Sequence, residues 1–217
     1  MKRQPFRTRL LPISSACAAF AAGLLLAGCG DDAAKPATTA ATSSTPLAAD
    51  DALPPRDALP DCSRVEATLG GVLSGWKLVD ESGPWENPGQ SGYGVDCIWW
   101  SPHLQSANDL DKLQGASLMV RINVTPQMQS EADVRAIGWV IDDPAVNALG
   151  GYLTVVGGQL AFDAPLGPVP PEVVVGKVSV SVTRSGVMLV NSTDEGSAFT
   201  HRDAVDAAVA VHRLIRK

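Results

Sequence analysis

Two pairs of aspartates and one histidine are the side chains of this sequence that could carry out acid–base chemistry. The pairs Asp109/Asp111 and Asp142/Asp143 could serve as general acids, as glycosidase carboxylates or as calcium ligands, and His103 could act as an acid or a base. Nothing in the spacing brings these residues into one site. Solvent-exposed loops or helix caps explain the four aspartates better.

The motifs of common catalytic and cofactor sites are missing from the sequence. No serine lies in a G-x-S-x-G elbow, and the segment Gly89-Gln90-Ser91-Gly92 is typical of a plain turn. A P-loop, a G-x-G-x-x-G fingerprint and an H-E-x-x-H motif are also absent. We therefore expect a domain that is not an enzyme and holds no metal or cofactor.

Tryptophan is the one compositional oddity, with five residues. Three of them fit the buried positions of predicted elements, namely Trp76, Trp99 and Trp139. Trp85 lies in a segment dense in glycine and proline, and Trp100 falls on the strand face opposite Trp99. Because exposed aromatic residues are enriched at binding surfaces, we predict a binding surface that includes Trp85, Trp100 and His103. The alternative is that both tryptophans fold back onto the domain.

The first 28 residues have the layout of an export signal. Residues 1–9 are basic, residues 10–26 are mostly apolar, and Leu26-Ala27-Gly28-Cys29 follows. This tetrapeptide resembles the lipobox of bacterial lipoproteins, which implies cleavage before Cys29 and a lipid anchor on its thiol. Since Gly30 rather than aspartate follows, the resemblance implies the periplasmic face of the outer membrane. In a single-membrane organism it would be the outer face of the cell membrane. The alternative is an ordinary secretory signal.

Composition divides the rest of the chain into a tether and a domain. Residues 29–60 are rich in small and polar residues and in proline, which predicts a disordered tether behind the lipid. Residues 61–217 are predicted to form a single soluble domain. Without residues 1–28, 13 basic residues face 23 acidic ones, a net charge of about −10. This charge disfavours nucleic acid as a partner and favours a basic one.

Two cysteines remain in the predicted domain. Cys17 leaves with the signal peptide and Cys29 carries the lipid, so Cys62 and Cys97 are left in an oxidising compartment. Such a pair most simply forms a disulfide. The closed loop would span 35 residues and contribute about 4 kcal/mol of stability in the chain-entropy model.

Hydrophobic periodicity predicts the order helix, strands, helix, strands, helix in residues 61–217. A first helix is expected from Cys62, capped by Asp61 or Ser63, with Val65, Leu69 and Val72 on its buried face. A second is expected from Ser130 to about Val140, with Val134, Ile137 and Ile141 on one face, and a third from about His201, capped by Thr200. Strands are expected at residues 76–79, 93–100 and 118–124, with a loop at 82–92 and hairpins around Gly157-Gly158 (152–162) and Ser185-Gly186 (178–190). Tight hairpins imply antiparallel pairing. The predicted fold class is α+β, with an antiparallel sheet of about six to seven strands flanked by helices.

Two cysteine motifs carry a resemblance to a known group of proteins. They are Asp61-Cys62-Ser63 at the start of the first helix and the strand Tyr93-Gly94-Val95-Asp96-Cys97-Ile98-Trp99. Together with the lipobox and the tether, they resemble small bacterial envelope lipoproteins of unknown function, best populated in actinobacteria. The resemblance covers most of residues 61–217. It implies a PsbP-like fold and a non-catalytic binding or accessory role.

Three functions are compatible with these observations. The first is a lipid-anchored accessory protein that binds an envelope protein or a glycan through the Trp85–Trp100 region. The second is an inhibitor or immunity lipoprotein, because an acidic surface attracts a cationic toxic hydrolase of the periplasm. The third is a cell-wall hydrolase that uses the scattered acids and His103, and it requires these side chains to meet in one cleft.

Overall fold

The computed structural model describes residues 52–87, 89, 91–167, 169–186 and 199–215. The predicted signal peptide, the predicted lipidation site Cys29, the predicted tether up to residue 51 and the strand expected at residues 187–190 lie outside the described residues. No helix of the described part is both long enough and apolar enough to cross a membrane.

Eight strands form one open antiparallel sheet. They are β1 (Lys77–Leu78), β2 (Gly83–Asn87), β3 (Gly92–Trp100), β4 (Ala116–Val124), β5 (Val140–Ile141), β6 (Tyr152–Thr154), β7 (Glu172–Val175) and β8 (Val178–Gly186). The order across the sheet is β1-β3-β4-β8-β7-β6-β5, and β2 pairs with β3 beside β1. Every pairing is antiparallel. The predicted α+β class is confirmed, with slightly more strands than expected.

Few helices accompany this sheet. They are α1 (Cys62–Leu69), α2 (Asp109–Lys112), α3 (Glu131–Ala136), α4 (Pro144–Asn147) and α5 (His201–His212). Asp61 caps α1 by accepting a hydrogen bond from the backbone N–H of Arg64 at 2.9 Å, and Ser63 donates to the same carboxylate. Thr200 and Asp203 form a reciprocal capping box at the start of α5. The two longest helices thus begin where side-chain oxygens satisfy their first backbone N–H groups.

The main core lies between one face of the sheet and the helices α1 and α5. Its fully buried side chains include Val65, Trp99, Val120, Ile122, Val180, Val182 and Val205. Along β4, the alternation of Leu118, Val120, Ile122 and Val124 with more exposed residues confirms the predicted half-buried strand.

A disulfide joins this core to the first helix. Cys62 begins α1 and Cys97 lies in the middle of β3, with an S–S distance of 2.04 Å and a Cα–Cα distance of 5.4 Å. The predicted disulfide is therefore confirmed. Two residues further along β3, the indole N–H of Trp99 donates to Glu66 of α1 at 3.4 Å, which adds a second link between the helix and the strand.

Two apolar residues predicted to be buried are exposed. Val72 is 47% exposed because Gly70, at φ 57°, ends α1 and starts a 3-10 turn that buries Leu73 instead. Ile137 is 54% exposed because α3 ends at Ala136, so helical spacing no longer applies to it.

Three predictions about strands are also wrong. The loop expected at 82–92 contains β2, an edge strand that tolerates Pro84 because it pairs on one side only. Residues 159–162 form no strand, and β6 pairs with β5 and β7 instead. The turn expected at Ser185-Gly186 belongs to β8, whose hairpin partner is β7, joined to it across Gly176 at φ 58°.

The packed chain starts upstream of Asp61, where the sequence analysis placed the boundary between tether and domain. Ala58 and Pro60 are buried, and the Tyr93 hydroxyl donates a hydrogen bond to the carbonyl of Pro54. Arg56 forms an ion pair with Glu86 at 2.7 Å. These contacts fasten residues 54–60 to the start of β3 and to the edge strand β2.

Candidate functional site

The described residues cover the second face of the sheet only in part. At the β5–β6–β7 side, Val134 of α3 packs with Tyr152 and Val174. Strand alternation and the pairing register place a larger group of residues on the same face, beyond that small cluster. We call this group the open face, and it consists of Trp85, Asp96, Ile98, Trp100, Met119, Arg121, Asn123, Glu172, Ser181 and Thr183.

Arg121 stands at the centre of the open face, where it is fixed by two strands. Its Nε and Nη2 donate to the two carboxylate oxygens of Asp96 at 2.9 and 2.7 Å, a bidentate pair between directly opposed residues of β3 and β4. The guanidinium also lies over the ring of Trp85, with its central carbon 6.0 Å from the ring centroid. Arg121 is therefore held in place before any partner arrives, while about half of its side chain remains exposed.

Trp85 forms one border of the open face and is itself half-buried. Its partner in the register is Gly94, and a Cβ atom at Gly94 would lie 2.9 Å from Cζ2 of Trp85 and 1.8 Å from the carbonyl oxygen of Ile122. The indole N–H is shielded from solvent and has no hydrogen-bond partner among the described residues. Trp85 therefore packs its ring on the strand instead of presenting it freely.

Trp100 lies at the other end of the same strand and is 44% exposed. It is six residues from Gly94, so about 20 Å of extended strand separates it from Trp85. His103 is half-buried in the turn that follows β3. The structure thus puts both tryptophans on one face but does not bring Trp85, Trp100 and His103 together in one patch.

Two serines of β8 carry a signal that the sequence analysis missed. Ser179 and Ser181 are only 5% and 8% exposed although they lie on the open side of the sheet, and neither hydroxyl has a hydrogen-bond partner among the described residues. Ser181 stands between Arg121 on β4 and Glu172 on β7, which are its register partners. The alternation of serine with valine in β8 was the only hint of it, and that pattern also fits a plain solvent-facing strand.

Asp96, Arg121, Ser181 and Glu172 are directly opposed in turn on β3, β4, β8 and β7, and we call these four side chains the row. Glu172 is its last member. Its side chain reaches solvent, but the surrounding protein atoms raise the pKa of the carboxyl above its ordinary value, and the positive charge of Arg121 opposes part of the rise. In the described part of the chain, this carboxylate forms no hydrogen bond or ion pair. It is therefore an available acceptor next to the unpaired hydroxyl of Ser181.

The aspartates that could have formed an acid–base site are engaged locally instead. Asp109 pairs with Lys112 within α2, Asp111 accepts from Ser106, and Asp142 pairs with Arg135. Asp142 is a loop residue as interpreted, but Asp109 and Asp111 lie within α2, whose cap is Asn108, so that interpretation holds only in part. Within the described ranges, no group of three histidine, cysteine or acidic residues could hold a metal ion.

Asp143 is the one buried member of that set. It caps α4 by accepting from the N–H groups of Ala145 and Val146 at 3.0 and 3.1 Å, and it pairs with Arg202 of α5 at 2.5 Å. Burial alone would raise the pKa of Asp143, but the hydrogen bonds from Arg202 and the backbone outweigh burial and lower it. Asp143 is therefore a charged link between α4 and α5, on the side of the sheet opposite the open face.

A cleft of about 240 Å³ lies elsewhere, beside the edge strand β2. Its lining includes Arg56, Glu86, Ser91 and Tyr93, and the ion pair between Arg56 and Glu86 lies within it. The Arg56 guanidinium also stacks 5.4 Å from the ring centroid of Tyr93. These residues make the contacts that fasten the segment before α1, so the cleft is explained by the entry of the chain into the domain.

Comparisons of the chain with protein-family models, with curated proteins and with solved structures gave no match. The resemblance to PsbP-like envelope lipoproteins therefore stays a prediction from the two cysteine motifs.

Proposed function

We propose that the chain is a lipid-anchored envelope protein whose domain binds a protein partner through the open face, without catalysis. The main support is the open face itself, a half-exposed sheet surface in which Arg121 is fixed by Asp96 and Trp85. Arginine and tryptophan are the residue types that contribute most binding energy at protein interfaces. Strands hold these side chains more rigidly than loops do, which reduces the entropy lost on binding.

The position of the open face supports this function. The two longest helices cover the opposite face of the sheet, so a partner can approach the open face without displacing either of them. Its exposed and half-exposed residues come from neighbouring strands and include both apolar and charged side chains, among them Ile98, Met119 and Arg121. Mixed surfaces of this kind are typical of non-obligate protein interfaces.

Site-specific photocrosslinking in living cells tests the binding surface. A photoreactive amino acid is introduced at Met119 or Thr183 on the open face, and at Ser63 on the exposed side of α1 as the matched control. We expect the two open-face positions to give the same protein adduct, identified by mass spectrometry, and the purified adduct partner to bind the purified chain. Adducts from Ser63 only, or none from Met119 and Thr183, would refute the proposal.

The anchor is tested separately. A Cys29→Ala variant should leave the membrane fraction and appear in the soluble envelope fraction, because the thiol that carries the lipid is lost. If this variant stays with the membranes, or if the native chain is found unprocessed inside the cell, the lipid-anchor part of the proposal is wrong.

A further inference from the structure

We propose that Ser181 and Glu172 form the point on the open face that recognises a cationic side chain, a lysine or an arginine, of the protein partner. This inference rests on the proposed binding function and adds the chemistry of the group that is bound. It follows from the register of three neighbouring strands, from one unpaired hydroxyl and from the balance of charge along one row.

The geometry of the row provides two oxygen acceptors side by side. Ser181 on β8 and Glu172 on β7 are directly opposed in the sheet, and Arg121 on β4 is opposed to Ser181 on its other side. Ser181 is more than nine-tenths buried, and its hydroxyl has no partner among the described residues. The hydroxyl oxygen is not among the fully shielded polar atoms of the described residues, so a ligand can reach it and pair with it.

The charges in this row determine that a positively charged ligand is favoured. Asp96 neutralises Arg121 through two short hydrogen bonds, so Glu172 supplies the remaining negative charge. A carboxylate and a hydroxyl oxygen can both accept from an ammonium or guanidinium group, which carries several N–H donors and the complementary charge. A neutral hydroxyl-rich ligand could use the same oxygens but would leave the charge uncompensated.

The charge of the whole chain acts in the same direction. With residues 1–28 removed, the chain carries a net charge of about −10. A field of this sign raises the encounter rate with cationic partners and repels anionic ones. The open face then provides a specific contact within a generally attractive surface.

The test uses the mature chain from residue 29, with its disulfide intact and Cys29→Ser so that it stays in solution. Tetralysine is titrated at low ionic strength, and binding is followed by the backbone amide shifts in two-dimensional NMR spectra. We expect the largest shifts at Ser181, Glu172 and their neighbours. Glu172→Gln should weaken binding about tenfold and Ser181→Ala about threefold, since each removes one acceptor.

Glu81→Gln is the matched control, because it removes the same charge at the exposed turn between β1 and β2, which β3, β4 and β8 separate from Glu172. It should weaken binding less than twofold. Equal weakening by Glu172→Gln and Glu81→Gln would show diffuse attraction to an acidic chain and would overturn the inference. So would shifts at Ser181 with the neutral sugar chitotetraose but not with tetralysine, or no shift there with either probe.

The two proposals can fail independently. Crosslinks from Met119 and Thr183 without a tetralysine site would leave the binding function standing and remove the cationic recognition point. A tetralysine site without crosslinks would do the reverse. Circular dichroism of each variant checks that the fold is retained, and Ser181→Ala provides a second variant that changes no charge.

Discussion

The buried histidine at the end of α5 leads to a quantitative prediction about pH. His212 is 9% exposed, and its Nε2 lies 2.8 Å from the carbonyl oxygen of Val173 in β7. Since a carbonyl can only accept, the neutral ring must carry its proton on Nε2. Burial lowers the pKa of His212 from 6.5 to about 4, and the hydrogen bond to Val173 opposes only part of this shift.

The sign and size of the effect follow from the two pKa values. Above pH 6.5 the ring is neutral in both the folded and the unfolded chain, so its titration does not lower the free energy of unfolding. As the pH falls from 6.5 to about 4, the unfolded chain binds a proton that the folded chain resists, and the free energy of unfolding decreases. A depression of roughly 2.5 pKa units corresponds to about 3 kcal/mol, a large share of the 5–15 kcal/mol typical of a domain.

Urea denaturation between pH 4 and pH 7.5 measures this loss, with His212→Gln as the comparison. Glutamine has an amide donor for the Val173 carbonyl but does not titrate. We expect the native chain to lose about 3 kcal/mol more than the variant over this range, because other titrating groups contribute equally to both. Parallel stability curves for the two proteins would refute the reasoning.

Three further predictions concern stability. Replacing Cys62 and Cys97 together by alanine should lower the free energy of unfolding by about 4 kcal/mol in urea denaturation, and a loss below about 1 kcal/mol would contradict the disulfide's role. Gly94→Ala should cost more than about 3 kcal/mol or prevent folding, because the new Cβ would clash with the backbone of Ile122. Gly167→Ala, with open space around it, is the control and should be nearly neutral. Similar melting temperatures for the two variants would contradict the predicted clash. Asp143→Ala should cost about 2 kcal/mol by calorimetry, since it removes the cap of α4 and one of the two carboxylates that pair with Arg202, and an unchanged melting temperature would contradict it.

The elements that sequence could predict are those with local signals. The alternation along β4 needs only nine residues to be recognised, and the caps of α1 and α5 need four each. The disulfide was predictable for a different reason. Once residues 1–28 are interpreted as an export signal, the chemistry of an oxidising compartment predicts that Cys62 and Cys97 pair, and no knowledge of the fold is required.

The elements that sequence could not predict depend on distant partners. The segment around Pro84 has the composition of a loop, but the free N-terminal half of β3 pairs with it and makes it an edge strand. Gly94 of β3 favours this pairing, because the absence of a side chain there lets the ring of Trp85 approach the strand. Local composition predicted a loop here because the stabilising contacts come from another strand.

The candidate site illustrates this limit most clearly. Arg121, Ser181 and Glu172 belong to three strands, and each was an unremarked polar position in an alternating pattern. Serine beside valine in β8 is compatible with a solvated surface, and only the flanking strands on both sides make Ser181 a largely buried residue whose hydroxyl has no partner among the described residues. The tryptophans, a conspicuous residue type, therefore indicated only the borders of the open face. The most specific chemistry of the open face comes from residues whose type alone carries little information. Functional hypotheses for small sheet domains should accordingly be weighed row by row across the sheet, because binding groups that share a row have no relation along the chain.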